Sequence, residues 1–355
     1  MTNNMDSLLR QWDGEEVIIH CDRPTGAWIV MAVHSTRLGP AIGGTRMRSY
    51  PDLEAAVQDA LRLAQGMTLK WAAAGIDSGG GKAVIAVPPD LDPDDRVQLL
   101  RRYGAFLCKH KGLFLTGPDV GTSAEDMDII AETGDPYVFC RTPAAGGSGE
   151  PGLLTALGVL TSLEVAAERL YGSPSLKGKR VLVQGVGSVG RALVDLLQKA
   201  GAEVLFSDVN DAAVRHFRDS VGLPFIPPDE VYDTPCDIFS PCALGAVLNE
   251  KTIPRLRCRA VVGAANNQLA VPEDGVRLRE RQILYAPDFI TNSGGAIGAL
   301  NVETKGCSRQ EAEKRLTQAI RGNLAQIFEL AETEGCTTDE AAQRLAGKRL
   351  AGAVK

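Results

Sequence analysis

The chain has 355 residues, 44% hydrophobic and 23% charged, with a formal net charge of −6. That length exceeds one ordinary core and predicts two globular domains, while the acidic balance without a long Lys/Arg cluster argues against a general nucleic-acid binder. The polar start Met1-Thr2-Asn3-Asn4 and the lack of a long apolar run predict neither signal peptide nor membrane span, and eight scattered cysteines without a CxxC pair read as reduced thiols of a cytoplasmic protein. No two of the four histidines stand at ligand spacing, so no catalytic metal is expected.

In chain order, 15–21 (EEVIIHC) and 27–34 (AWIVMAVH) read as strands joined by a turn at Pro24-Thr25-Gly26, and their exposed look would suit assembly into a homo-oligomer. Residues 38–46 (LGPAIGGTR) read as a loop whose glycines allow close backbone approach. Apolar residues at 53, 56, 57, 60, 61, 63 and 64 place a helix over 52–67.

Next come two lysines twelve positions apart, Lys70 after Gly66-Met67-Thr68-Leu69 and Lys82 after Gly79-Gly80-Gly81. A triple glycine lets backbone approach a ligand, and an ammonium near a second one in a partly apolar cleft is expected to lose its proton near neutral pH. The plain alternative makes Lys82 a surface residue after a flexible turn. A tight acidic stretch, Thr116-Gly117-Pro118-Asp119-Val120-Gly121-Thr122, favours a site. Around these stretches lie a strand at 84–87, a helix at 94–110, a strand at 113–116 and a helix start at Ser123.

Residues 143–152 are rich in Gly and Pro and read as an inter-domain loop. After a helix over 153–170, an apolar strand runs into Gly185-Val186-Gly187-Ser188-Val189-Gly190, then a helix, then a second strand ending at Asp208, 23 residues past Gly185. This order is that of a dinucleotide fold. Gly185 makes the turn, Gly187 admits the pyrophosphate, Gly190 lets helix and strand pack, and Asp208 binds ribose hydroxyls and repels a 2′-phosphate, favouring NAD over NADP. Further strands end at Cys242-Ala243 and Ala264-Ala265-Asn266-Asn267, where amides could meet a nicotinamide or simply make a turn. Asn292 precedes a glycine loop opening a helix, and Ser308 and Thr337 start two C-terminal helices with capping boxes.

With these residues in view, the sequence resembles the leucine/phenylalanine/valine dehydrogenases of the glutamate dehydrogenase superfamily. The likeness runs through LGPAIGGTRM, ALRLAQGMTLK, GGGKAVI, TGPDVGT, VQGVGSVG, SPCALG, GAANNQLA and ILYAPDFITNSGG. It implies an α/β fold: an N-terminal substrate-binding and oligomerisation domain over 1–145, a Rossmann-type NAD domain over 146–325, and a helical segment over 326–355 returning toward the first. It further implies Lys82 as catalytic lysine, Lys70 on the substrate carboxylate and Asp119 as proton relay. Gly43, Gly44, Gly117, Asn266, Ala296 and Ala299 would border the substrate. Arg46, Thr155, Val186, Ser188, Val189, Val209, Cys242, Ala243, Ala264, Ala265, Asn266 and Asn292 would join Gly185, Gly187, Gly190 and Asp208 around NAD.

The implied activity is NAD-dependent deamination of an apolar L-amino acid to a 2-oxo acid and ammonia, with the segment near 143–152 a candidate flexing point. Gly117-Pro118, Ala296 and Ala299 match aromatic-preferring relatives, small side chains that enlarge the cavity, so phenylalanine or another aromatic is favoured. Ala72-Ala73-Ala74-Gly75 looks more like the leucine enzymes, which leaves leucine or valine as the alternative. A non-catalytic NAD-binding regulator is a reading of another class, opposed by the joint presence of Lys70, Lys82 and Asp119.

Overall fold

The computed structural model describes residues 4–149 and 151–353, and the chain divides into two compact units. Unit 1 holds Met1–Glu150, Ala299–Cys307 and Ala346–Lys355; unit 2 holds Pro151–Gly298 and Ser308–Leu345.

Unit 1 begins with helix α1 (Asn4–Gln11) and strands β1 (Glu16–Asp22), β2 (Ala27–Ser35) and β3 (Ala41–Arg48). Helix α2 (Leu53–Ala74), strand β4 (Gly79–Ala86), helix α3 (Pro93–Lys109), strand β5 (Phe114–Pro118) and helix α4 (Ala124–Gly134) follow. The strands form one sheet in the order β1-β2-β4-β3-β5, antiparallel through β1, β2 and β4 and parallel through β4, β3 and β5. Its two faces carry separate cores. Val30, Ala32 and Val84 pack on Ala56, Val57, Ala60 and Leu61 of α2. Met31, Val33, Ala83 and Ile85 pack with Leu99, Tyr103 and Leu107 of α3 and Met127 and Ile130 of α4.

Local chemistry sets the helix ends. Asp52 accepts a hydrogen bond from the Ala55 amide at the start of α2, and Gly75 closes it in the left-handed conformation at φ 68°. Ser123 and Asp126 form a reciprocal capping box on α4.

Two sequence readings change here. Residues 38–46 are not a loop, since 41–48 form β3 between β4 and β5. The triple glycine is likewise strand, because β4 begins at Gly79. Glycines carry little strand propensity, so only pairing to neighbours on both sides reveals these strands. Helix α2 also runs on to Ala74, which puts Lys70 on a helix.

Unit 2 contains α5 (Gly152–Tyr171), β6 (Arg180–Gln184), α6 (Ser188–Lys199), β7 (Glu203–Ser207), α7 (Asp211–Arg215), β8 (Ile238–Pro241), β9 (Ala260–Val261), α8 (Glu273–Glu280) and β10 (Leu284–Tyr285). The chain then forms α9 (Asp288–Thr291), α10 (Gly294–Glu303), α11 (Arg309–Thr333) and α12 (Thr338–Gly352), with the unit boundaries falling inside α10 and α12. All five strands are parallel, in the order β10-β9-β8-β6-β7, as in a doubly wound nucleotide-binding sheet. Leu182, Phe239, Val261 and Tyr285 share a core with Leu248, Ile253 and Leu278. Among the described residues no helix is long and apolar enough to cross a membrane, and all eight cysteines are free.

Candidate active site

Side chains alternate across a strand, so register decides which groups meet. On β4, Ala83 and Ile85 enter the α3 core, while Val84 packs on α2. Lys82, two residues before Val84, therefore faces α2. On β3, Thr45 turns to the α3 side, its Oγ1 lying 2.7 Å from Tyr103 Oη. Gly44 and Arg46 consequently share the α2 side with Lys82. Asp119 directly follows β5, the strand beyond β3. Lys82 Nζ lies 3.1 Å from Asp119 Oδ2, and Arg46 Nε donates to the same oxygen at 2.8 Å.

The turn after β5 is held tightly. Thr122 Oγ1 donates to the Thr45 carbonyl at 2.8 Å and accepts from the Asp119 amide at 2.9 Å. Gly121 has φ 82°, and a Cβ there would lie 1.8 Å from the Met47 carbonyl oxygen. A Cβ on Gly44 would stand 2.9 Å from Asp119 Cβ and 3.2 Å from Lys82 Nζ, so this glycine keeps room directly over the pair. On Gly43 it would reach within 1.9 Å of the Gly81 carbonyl oxygen, which requires glycine for strand contact alone.

Lys82 is 4% exposed. Burial pulls its proton affinity below the ordinary lysine value, Asp119 opposes that fall, and Arg46 adds to it. A cation acting on Lys82 is Arg46, which the sequence spacing did not single out for that role. Burial raises the Asp119 carboxyl, but Lys82 and Arg46 outweigh it and hold the group below its usual range. The pair can accept a proton at nitrogen while retaining an ionised carboxylate beside it.

Arg46, placed near the cofactor by resemblance, also donates from Nη1 to Asp59 Oδ2 at 2.9 Å. Tyr50 Oη donates to that oxygen at 2.7 Å. Sequence reasoning missed Asp59 and Tyr50. The available signal was Asp59, one of two acidic residues in α2 beside its apolar stripe. Trp71 is wholly buried and donates from Nε1 to the Ile42 carbonyl at 2.8 Å, bracing β3.

Gly117 does not enlarge a cavity as expected: a Cβ there would lie 2.8 Å from the Phe139 ring, so the glycine accommodates Phe139. Ala299 is fully buried, and Ala296 only partly so. The Gly/Pro segment is anchored within unit 1. Thr142 binds Asp128 through its amide at 3.0 Å and its hydroxyl at 2.6 Å, and Glu303 accepts from the amides of Cys140 and Ser148 and from the Ser148 hydroxyl. Glu150 of that segment lies outside the described residues.

In unit 2 the glycine turn shows the tight turn and the close helix-strand packing expected of it. Gly185 sits at φ 93° and a Cβ would meet Ala243 at 2.6 Å; on Gly190 it would lie 2.0 Å from the Gly185 carbonyl oxygen. A Cβ on Gly187 would meet nothing within 4 Å, so that glycine answers no need of the protein's own packing. Gly187 and Ser188 are exposed at the N-terminus of α6, where free amides and the helix dipole favour an anion.

Asp208 closes β7 and accepts from the Val186 amide at 2.7 Å and the Asn210 amide at 2.8 Å. Val209 and Leu244 nearby in sequence to the ends of β7 and β8 are 85% and 75% exposed, apolar side chains suited to flank a base. Asn266 is exposed; its Oδ1 accepts from Asn292 Nδ2 at 2.8 Å. Asn267 adopts φ 52°, a turn residue beside it. Cys242 is largely enclosed, and burial pushes its thiol up. Thr155 Oγ1 donates to the Pro151 carbonyl at 2.9 Å. These residues fit a dinucleotide.

Residues 22–135 match the family profile described as Glu/Leu/Phe/Val dehydrogenase, dimerisation domain, and 146–211 with 206–355 match that of Glutamate/Leucine/Phenylalanine/Valine dehydrogenase. The chain is 41% identical over 342 residues to leucine dehydrogenase of Bacillus subtilis, covering 96% of this chain and 93% of that one. It is 39% identical over 353 residues to phenylalanine dehydrogenase of Lysinibacillus sphaericus, with 98% and 91% covered. The solved L-tryptophan dehydrogenase from Nostoc punctiforme superposes with a TM-score of 0.84 at 37% identity, covering 98% and 99%.

Proposed function

Because the chain belongs to the glutamate/leucine/phenylalanine/valine dehydrogenase family, we propose that it catalyses the reversible NAD-dependent oxidative deamination of an apolar L-amino acid, an aromatic one by preference. The observation that carries this reading is the buried Lys82 amine held against Asp119 with its proton affinity lowered.

Amino acid, NAD+ and water give 2-oxo acid, ammonium, NADH and a proton. NAD, when bound, accepts the hydride from the substrate Cα. Lys70 holds the substrate carboxylate as a point charge. Lys82, neutral, takes a proton from the water that attacks the iminium carbon, and returns it when ammonia leaves. Asp119 exchanges protons with the substrate nitrogen. Gly44 keeps the space above both groups free of side chain. In unit 2, Gly187 and Ser188 would hold the pyrophosphate, Asp208 the adenosine ribose, and Asn266 with Asn292 the nicotinamide end.

The aromatic preference rests on Ala296 and Ala299, with the tryptophan dehydrogenase neighbour in support. The leucine-like run Ala72-Ala73-Ala74 weighs less, because those alanines are wholly buried in the last turn of α2. The 41% identity to a leucine dehydrogenase sustains leucine or valine as the second reading. Assembly would use unit 1, whose profile carries the dimerisation description and whose edge strand β1 and neighbour β2 expose Ile19 and Trp28. Eight free thiols suit a reducing cytoplasm.

The test follows NADH formation with phenylalanine, tryptophan, leucine and valine. No turnover with any of them sinks the dehydrogenase reading; a higher kcat/KM for leucine or valine sinks only the aromatic one.

A further inference from the structure

Asp119 is gripped on one side only. Both of its cationic partners, Lys82 and Arg46, reach Oδ2, and Oδ1 receives no hydrogen bond from the described residues. A carboxylate held by one oxygen presents the other in a fixed direction. Arg46 is in turn fixed by Asp59, which also accepts from Tyr50 Oη at 2.7 Å and from Arg62 Nη2 at 2.9 Å.

We propose that Arg46 and Asp59 are positioning residues of the deamination site: Asp59 on α2 locks the Arg46 guanidinium, which fixes Asp119 by Oδ2 and leaves Oδ1 as its proton-exchanging oxygen. This rests on the catalytic reading given above. Asp59 is well placed for the task because α2 lies over the sheet face that carries Lys82. Lys70 stands 11 residues further along α2, three helical turns or about 16 Å, and therefore on the same face. One helix thus carries both the residue assigned to the substrate carboxylate and the anchor of the proton-transfer cluster.

Arg46 comes from β3, Asp119 from the end of β5 and Asp59 from α2, and each acts on Lys82 electrostatically: the two carboxylates raise its proton affinity and Arg46 lowers it. The histidine of β2, His34, is engaged with Thr68 at 2.9 Å and Asp13 at 3.0 Å. Burial pulls the Asp59 carboxyl up, but Tyr50, Arg62 and Arg46 together keep it ionised below its usual range.

Opposite charges on the two positioning residues give opposite signatures. Asp59→Asn removes an anion, so the midpoint of the rise of kcat/KM with pH moves down; Arg46→Met removes a cation, so it moves up, each by roughly half a unit to one unit. Asp59→Glu restores the wild-type midpoint. Arg46→Lys keeps the charge but cannot bond both carboxylates at once, so kcat falls by about tenfold or more while the midpoint stays. If Arg46→Met does not yield folded protein, Arg46→Lys against Asp59→Asn carries the comparison. Midpoints that move together, or not at all, in active variants overturn the proposal. Absence of deamination by the wild-type chain would instead overturn the function itself.

Discussion

Lys82 Nζ and Arg46 Nε converge on a single oxygen of Asp119, at 3.1 and 2.8 Å. Two cations on one carboxylate oxygen hold the acid ionised, and burial makes the amine the group that gives up its proton. Lys82→Ala removes that amine. NADH binding, followed by fluorescence titration, stays within about twofold of wild type, whereas turnover falls by a factor of about 10³ or more. A variant retaining near-normal turnover identifies another base.

The pH dependence has a definite sign. Burial and Arg46 place Lys82 below the ordinary value of 10.5, and the proposed deamination needs the neutral amine. The rate therefore climbs with pH and levels off below 10.5, where a solvent-exposed lysine would still be largely charged. A profile of kcat/KM between about pH 6 and 11 checks this; a rate falling over the first rise window contradicts it.

Gly44→Ala puts a methyl group 2.9 Å from Asp119 Cβ and 3.2 Å from Lys82 Nζ. Overpacking of this kind costs about 1–3 kcal/mol, and here the neighbours that must yield are the Pro118 carbonyl, at 2.8 Å, and the side chains of the Lys82–Asp119 pair. We expect kcat lowered by about 100-fold with a modest fall in Tm. Gly187→Ala is the contrast: its Cβ meets no protein atom, so Tm holds while the KM for NAD rises, as measured by steady-state kinetics.

Asp208 accepts from the Val186 amide within the glycine turn. Asp208→Ser removes the charge that repels a 2′-phosphate, so kcat/KM for NAD falls by about tenfold or more and that for NADP rises relative to it. An unchanged ratio of the two cofactors assigns the ribose contact elsewhere.

Away from the site, Arg102 donates to both oxygens of Asp22, at 2.6 and 2.8 Å, and Asp22 is 3% exposed. Burial raises the Asp22 carboxyl, but bonds from Arg102 and Thr25 bring it below 3.8. A lowered carboxylate contributes stability that is present above the unfolded value and lost as the pH falls through the folded one. Arg102→Met therefore lowers the urea midpoint at pH 7, and the difference from wild type shrinks below about pH 4. A gap independent of pH assigns the loss to packing.

Much of this protein is written locally. The strand, glycine turn, helix, strand and acid over 180–208 are consecutive in sequence, so spacing alone announces the nucleotide half. The caps at Ser123 and Thr337 are equally local, each closing within four residues. Lys70, Lys82 and Asp119 stand out because unusual glycine density surrounds them.

What needed the fold was every relationship that spans strands. Glycine-rich β3 and the start of β4 look like loops until both neighbours are in place, since their pairing and not their propensity makes them strands. The partnership of Arg46 with Asp119 crosses 73 residues, and that of Asp59 with Tyr50 joins α2 to the segment that leads into it from β3. Linear spacing pointed to Lys70 as a second cation for Lys82, while only strand register shows Arg46 there, because alternation along β3 and β4 sends the Arg46 and Lys82 side chains to one face. Residue types came from the sequence; their meeting came from sheet order and a period of two.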